Sequence, residues 1–310
     1  MEIPVQLKTL YKHWEKHTSP RNLHTYTSPQ VDKQILSQII AFINERMSIY
    51  EKKSHGKAAP YTTDPILATY KFCNIYRELD KQTIYYHTLL KPYENDFPLW
   101  LLNMLFCRSI CRIETIEIIG LLSFDDDQNE AVFERLLRLP SPKYGDAYIF
   151  PISVIQKSQW PTRETFFCRY YPLISQEIAK TILTFKNTSV TEALVKLIPL
   201  LKFPLKFLLT EVLIDVAYQY PDHIDLFKEF PVGPGSKPTM HMLSTNLNPE
   251  SVVMALTEHQ KYFGQINLLT YNKQPVYLSA ENWEGIGCEF RKYTNLKNGS
   301  GRKRKYKPAL

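Results

Sequence analysis

Residues 97–122, FPLWLLNMLFCRSICRIETIEIIGLL, are apolar on nearly every side of a helix drawn through them. A helix with one apolar stripe can lie on a surface, but one that is apolar all round has to be enclosed. No run in the chain is long and apolar enough to span a bilayer. The segment therefore predicts a central, buried helix or helix pair with the rest of the chain built around it. The chain has 310 residues, 44% hydrophobic and 13% aromatic, which is enough for a core in one large domain or two small ones.

Helical spacing recurs elsewhere. Ile35, Ile39, Ile40 and Ile43 predict a helix starting at Ser28 or Asp32 and running to about Lys53. Asp64-Pro65 has the form of an N-cap followed by proline at the first helical position, and residues 65–90 read as one helix. Further helices are expected over 129–138, 174–186, 190–219, 238–247, 249–259 and 281–293. SFDDDQNE reads as an exposed acidic connector. Short strands fit 148–155 and 165–170. Residues 266–271 and 274–278, joined through Asn272-Lys273, fit a hairpin. The predicted fold is mainly α with minor β or irregular decoration. Residues 1–30 form an irregular segment, 31–293 a helical domain and 294–310 a basic flexible tail.

The five cysteines are odd in number and include no CxxC pair. Cys107 and Cys111 have nothing placed to complete a tetrahedral metal site, so buried thiols in a reducing compartment are expected. No metal and no cofactor are expected. The N-terminus lacks the apolar core of a secretory signal. Together these features point to the cytoplasm, with no membrane partner.

The net charge of +7 is concentrated at one end. Residues 291–310 hold eight of the 38 basic residues and no acid, so the other 30 face 31 acidic residues. A basic arm on a nearly neutral body suits a polyanion, through counterion release, and suits equally a solvated tail. If the arm binds DNA, residues 297–310 contribute Lys297, Arg302, Lys303, Arg304, Lys305 and Lys307. Removing them should flatten the log–log salt slope by about five units. Tyr293 and Tyr306 among these cations offer stacking faces.

Known phosphate and catalytic signatures are missing: GSGRKRK lacks the P-loop spacing, and no GxGxxG, HExxH or GxSxG occurs. Three constellations remain. Asn74, Arg77 and Asp80, at i, i+3 and i+6, fall on one face of the expected 65–90 helix. An amide and a guanidinium there suit a base edge or a phosphate, but taken alone the three residues read first as a surface ion pair on a helix. Asn103, Arg108, Arg112 and Glu114 lie within the apolar segment, where charge has to pair, for example with a glutamate, or line a cleft. Gly233-Pro234-Gly235-Ser236-Lys237 suits an anion nest or a plain turn.

Taken in order, these segments carry a wider pattern. It runs through Arg46, Lys53, Gly56, Pro60-Tyr61-Thr62-Thr63-Asp64-Pro65, Phe72, Asn74, Tyr76, Arg77 and Asp80. It continues with Asn103, Arg108, Arg112, Glu114 and Thr115, then Gly233-Pro234-Gly235, and ends at Cys288-Glu289-Phe290-Arg291-Lys292-Tyr293. Over about residues 40–305 the chain resembles the α-glutamyl/putrescinyl thymine pyrophosphorylase family, whose domain also accompanies phage 5-hydroxymethyluracil DNA kinases. The resemblance implies a helix-hairpin-helix, DNA-glycosylase-like fold. Ile198–Leu209, where the hairpin should lie, holds no glycine, and Asp215, Asp222 and Asp225 do not match a glycosylase aspartate clearly.

The resemblance further implies an enzyme that modifies DNA bases derived from 5-hydroxymethyl pyrimidines in phage DNA. It would replace a (pyro)phosphate on the 5-methylene of a flipped thymine derivative with an amino acid or polyamine. Arg77, Lys237 and the amides of Gly233 and Gly235 would receive the leaving oxyanion. Asp64 or Glu289 would take the amine proton. Asn74, Arg108 and Lys292 would bind substrate or phosphate. Two alternatives go with it. One is a glycosylase that excises hypermodified bases in anti-phage defence, with Asp64 or Asp80 at the sugar. The other is a non-catalytic DNA-binding partner of a 5-hydroxymethyluracil DNA kinase. The expected setting is a bacterial or phage-infected cell, with modified DNA, an amine co-substrate and a functional link to a kinase.

Overall fold

The computed structural model describes residues 1–146, 150–301 and 304–305. Helices dominate it, with one two-stranded antiparallel sheet among the described residues. None of the described helices is long and apolar enough to cross a membrane. The chain divides into two compact units, and the 31–293 span has parts in both.

The first unit comprises Met1–Lys8, Trp14–Asp80 and Leu226–Leu310. Helix Lys33–Ser54 starts where expected, because the Asp32 carboxylate accepts the N–H groups of Gln34 and Ile35. It buries Ile39, Phe42, Ile43 and Met47. The last long helix, Ala280–Lys297, opens with a capping box between Ser279 and Asn282. It packs on Lys33–Ser54, Pro65–Thr69, Lys237–Leu243 and Pro249–His259. Rings of Phe42, Phe72, Phe290 and Tyr293 form the contact, with Phe42 5.8 Å from Phe290 and 5.3 Å from Tyr293. The hairpin pairs Leu269–Tyr271 with Gln274–Val276, and Asn272 and Lys273 turn it at positive φ.

The second unit comprises Thr9–His13 and Lys81–Asp225. Its centre is helix Phe97–Ile110, buried at every position from Trp100 to Ile110. Tyr171–Leu183 and Lys206–Gln219 enclose it. The helix pair predicted over 97–122 is present: Cys111 adopts the left-handed conformation, the chain turns, and Ile113–Ile119 follows. Asn103 holds the far end, donating to Leu122 O at 2.9 Å and accepting the Leu122 N–H at 2.8 Å. That satisfies a buried amide and a buried backbone group together.

Several expectations are corrected. Residues 65–90 are not one helix. Pro65–Thr69 is a single turn, 70–76 are not helical, Arg77–Leu79 is a 3-10 turn, and Lys81–Leu90 is the helix proper. Aromatic and β-branched residues gain little from a helix. Here the non-helical backbone also finds partners: Lys71 N–H donates to Arg304 O, Cys73 N–H to Glu289 Oε2 and Asn74 N–H to Asp80 Oδ1. The strand expected over 165–170 is a π-helical turn, Phe166–Tyr170, leading into Tyr171–Leu183 after a Thr162–Thr165 capping box. The strand expected over 148–155 lies partly outside the described residues, and Ile152–Val154 is a 3-10 turn. Residues 190–219 break at 202–205, where Lys202 turns left-handed and Pro204 brings no N–H. The acidic connector is a helix start, with Asp125 capping Asp126–Arg138. Residues 1–30 contain the short helices Val5–Leu10 and Trp14–Thr18. In the basic tail, residues 302–303 and 306–310 lie outside the described residues.

Candidate functional site

In the first unit, helix Ala280–Lys297 gathers most of the predicted residues. The Tyr293 hydroxyl donates to Asp64 Oδ2 at 2.6 Å, while Asp64 Oδ1 caps Pro65–Thr69 by accepting the N–H groups of Ile66 and Leu67. Glu289 Oε2 accepts the Cys73 N–H at 3.0 Å and lies 3.4 Å from Lys292 Nζ. Lys292 donates to Lys71 O, and its Nζ stands 4.5 Å from the centre of the Phe72 ring. Asn74 and Asp80 are brought together, though not on a helix face. The amide donates to Asp80 Oδ1 at 2.9 Å and closes the turn that carries Arg77.

One turn back along the same helix is the Gly-Pro-Gly loop. The Gly233 N–H donates to Glu284 Oε1 at 3.1 Å, so a carboxylate already occupies that donor. A Cβ on Gly235 would stand 2.7 Å from Cys288 Sγ, which explains glycine there by close packing. Lys237 is exposed at the first position of Lys237–Leu243. Arg108 belongs to the second unit. Its Nε and Nη2 grip Asp215 Oδ2 and Oδ1 at 2.7 and 2.6 Å, Nη2 reaches Thr83 Oγ1 at 3.2 Å, and Asp215 Oδ1 also meets His87 Nε2 at 3.1 Å. Pairing of the buried charge was expected, but its partner is an aspartate and not a glutamate. Arg112 instead meets Glu114 at 3.3 Å.

Two of the clefts on helix Lys33–Ser54 hold candidate residues. The larger, about 820 Å³, is lined on its apolar side by Phe42, Phe290 and Tyr293, and elsewhere by Glu45, Thr63 and Asp64. Lys297 also lines it. Glu45 is held by a hydrogen bond from Thr62 Oγ1. The smaller, about 350 Å³, is lined by Arg46, Lys53, Lys71, Asn74 and Lys305 together with apolar and aromatic side chains. Leu67 lines both clefts. Burial lowers the pKa of Arg46, against the charges of Glu289 and Asp80. Burial, and then Arg46 itself, lowers that of Lys53.

Glu45 and Lys71 were not singled out by the sequence, and Arg46 and Lys53 only as part of a motif. A signal was available for Arg46. It sits on the apolar stripe of its helix, three residues after Ile43, where a charge is out of place. Nothing local marks Glu45 or Lys71, because what matters is the side chains they face.

Residues 33–302 match the family model described as 5-hmdU DNA kinase, helical domain. A 5-hmdU DNA kinase of Bacillus phage SP10 is 30% identical over 150 residues, a match that takes in 44% of this chain and 23% of the phage protein. The chain thus spans less than a quarter of that relative's length. No solved structure matches the chain. With the family model covering residues from the first long helix to the tail, the chain belongs to the 5-hmdU DNA kinase helical-domain family.

Proposed function

We propose that the chain acts on 5-hydroxymethyl-derived pyrimidines in phage DNA, as a transferase that replaces a (pyro)phosphate on the base with an amine. The observation that carries this reading is the larger cleft. Three aromatic rings line it together with the carboxylates Glu45 and Asp64, and its volume lies in the small-molecule range. Aromatic walls suit a base turned out of the stack. Carboxylates suit an ammonium that has to be held and deprotonated.

In the proposed step, the amine nitrogen bonds to the 5-methylene carbon as that carbon's bond to the phosphate oxygen breaks. The bonding pair leaves on the phosphate, and the surplus ammonium proton passes to a carboxylate. Asp64 serves as that base. Its Oδ1 is taken by two backbone N–H groups, while Oδ2 accepts one bond from Tyr293 and keeps capacity for a second. Glu289 and Asp80 hold the neighbouring backbone in place. A glycosylase-like scaffold is supported by the helix pair Val190–Leu201 and Lys206–Gln219, joined through residues 202–205.

The test uses DNA carrying 5-phosphomethyluracil or its pyrophosphoryl form, incubated with the protein and a panel of amino acids and polyamines, then digested to nucleosides for mass spectrometry. A new nucleoside heavier by the amine is expected. Its absence with every amine sinks the transferase. A second reading, a DNA-binding module that serves a kinase, is favoured by the family's description as one domain of such an enzyme. It predicts retention of DNA with no product in that assay.

A further inference from the structure

We propose that the smaller, cationic cleft is the seat of a phosphate carried on the base, as a monoester or pyrophosphoryl ester, and that it keeps the phosphate when the base lets it go. The identity of the carrier rests on the transferase reading above. The anion site rests on four observations of its own.

First, Arg46, Lys53, Lys71 and Lys305 line the cleft, and no carboxylate does. Second, Arg46 is 7% exposed, yet it makes no ion pair with a carboxylate among the described residues. Its Nη2 donates to Phe72 O and Cys73 O at 3.3 and 3.0 Å, and its Nε is buried without a hydrogen-bond partner. Burying a guanidinium with a donor left over is costly unless an anion completes it. Third, the tail is drawn to this spot. Lys71 N–H donates to Arg304 O at 2.9 Å and Tyr70 bridges Lys305 in antiparallel fashion, which brings the Lys305 cation into the lining. Fourth, Tyr70 and Phe72 supply aromatic surface beside the cations.

The chemistry favours a terminal phosphate over a backbone diester. A terminal phosphate carries roughly 1.5 to 2 negative charges and three acceptor oxygens at neutral pH. It can therefore engage a buried guanidinium and several ammonium groups at once. A diester brings a single charge and needs only surface lysines. The cleft of about 350 Å³ is at the small end of ligand sites, enough for a phosphate and part of a base but not for a duplex. The Gly233 amide, the other candidate anion donor, is already bonded to Glu284.

The test is calorimetric titration of inorganic pyrophosphate into the full chain and into K53Q, K71Q and R46K, with K57Q in the exposed loop as control. Lys71 is exposed and Lys53 only partly buried, so those two variants should fold even if R46K does not. K53Q and K71Q should each weaken binding by roughly tenfold or more, the size of one charge-assisted bond. K57Q should leave it unchanged. No measurable binding, affinity in K53Q and K71Q unchanged from the parent chain, or a loss in K237Q in their place overturns the site. A competition arm separates the sources of phosphate. A single-stranded oligomer with 5-phosphomethyluracil should displace pyrophosphate far better than the same oligomer without it. Equal displacement would make this a backbone site and overturn the proposal. If pyrophosphate binds as expected while no amine gives a nucleoside, the cleft stands and the transferase reading falls.

Discussion

Tyr293 and Asp64, 229 positions apart in sequence, are joined by a 2.6 Å hydrogen bond from the phenol to the carboxylate. The same carboxylate caps helix Pro65–Thr69, so one side chain starts a helix and ties the last helix to it. Burial, followed by the bond to Asp64, pushes the Tyr293 phenol up to about 12. It therefore remains the donor throughout the neutral range.

Removing that phenol alone, in Tyr293→Phe, should cost about 1 kcal/mol, the net value of one hydrogen bond. Asp64→Ala loses the cap as well and should cost about 2 kcal/mol. Asp64→Asn keeps the cap oxygen but loses the acceptor for Tyr293, so it should cost about 1 kcal/mol while losing amine transfer. Urea unfolding measures the first two. An Asp64→Ala variant as stable as the parent would refute the capping role.

Arg108→Met should destabilise the chain by about 3–5 kcal/mol, because it takes the guanidinium from the fully buried Asp215 carboxylate and leaves His87 as its remaining named partner. Adding Asp215→Leu should restore part of the loss, since two apolar side chains leave no uncompensated charge. Thermal melts of the single and double variants decide it. A mild single variant would mean that Asp215 finds another partner.

Pyrophosphate binding should depend on Lys53 protonation. Burial and Arg46 hold this amine below the ordinary lysine range. It is charged below that lowered pKa and neutral above it. Affinity should therefore fall as pH rises through the lowered value, before ordinary lysines titrate, and Lys53→Gln should lack that step. Without ligand the sign reverses. Between the lowered pKa and the unfolded value the unfolded chain holds more protons, so stability rises with pH across that window. Titrations over a pH series check both directions.

Truncation after Gly301 removes Arg302, Lys303, Arg304, Lys305 and Lys307. If all five contact phosphates, the log–log salt slope of DNA binding should flatten by roughly four to five units. Pyrophosphate binding should weaken as well, because Lys305 lines the cationic cleft. Unchanged salt slope and unchanged pyrophosphate affinity would reduce the tail to a solubilising appendage.

Two glycines of helix Ala280–Lys297 should respond to alanine with opposite signs. A Cβ on Gly287 would fall 2.2 Å from Ser236 Oγ and 2.4 Å from Met240 Cε, whereas one on Gly285 meets nothing within 4 Å. Gly285→Ala should gain up to about 1 kcal/mol of helix propensity. Gly287→Ala should lose about 1–3 kcal/mol through overpacking. Paired denaturation curves test this, and equal signs would show that the Lys237–Leu243 helix yields freely.

The sequence by itself determined the elements whose signals are local. The all-round apolar run made the Phe97–Ile110 core helix legible, and Asp32 and Asp64-Pro65 announced their helix starts. The Asn272-Lys273 hairpin and the helix Pro249–His259 were equally readable, because side-chain periodicity and capping act within a few residues. Only the tertiary structure decided that residues 70–76 leave the helix. Their backbone N–H groups bond to Glu289 and Arg304, more than 200 positions away, and no local pattern records such partners. It also decided which charges meet. Asp215 takes Arg108 out of consideration for the clefts, and Glu284 occupies the Gly233 amide. Arg46, Lys53, Lys71 and Lys305 come from three separate stretches of chain and line one cleft only once those stretches pack. Electrostatic chemistry of this kind depends on distances of a few ångströms and on burial, and neither is written in the order of the residues.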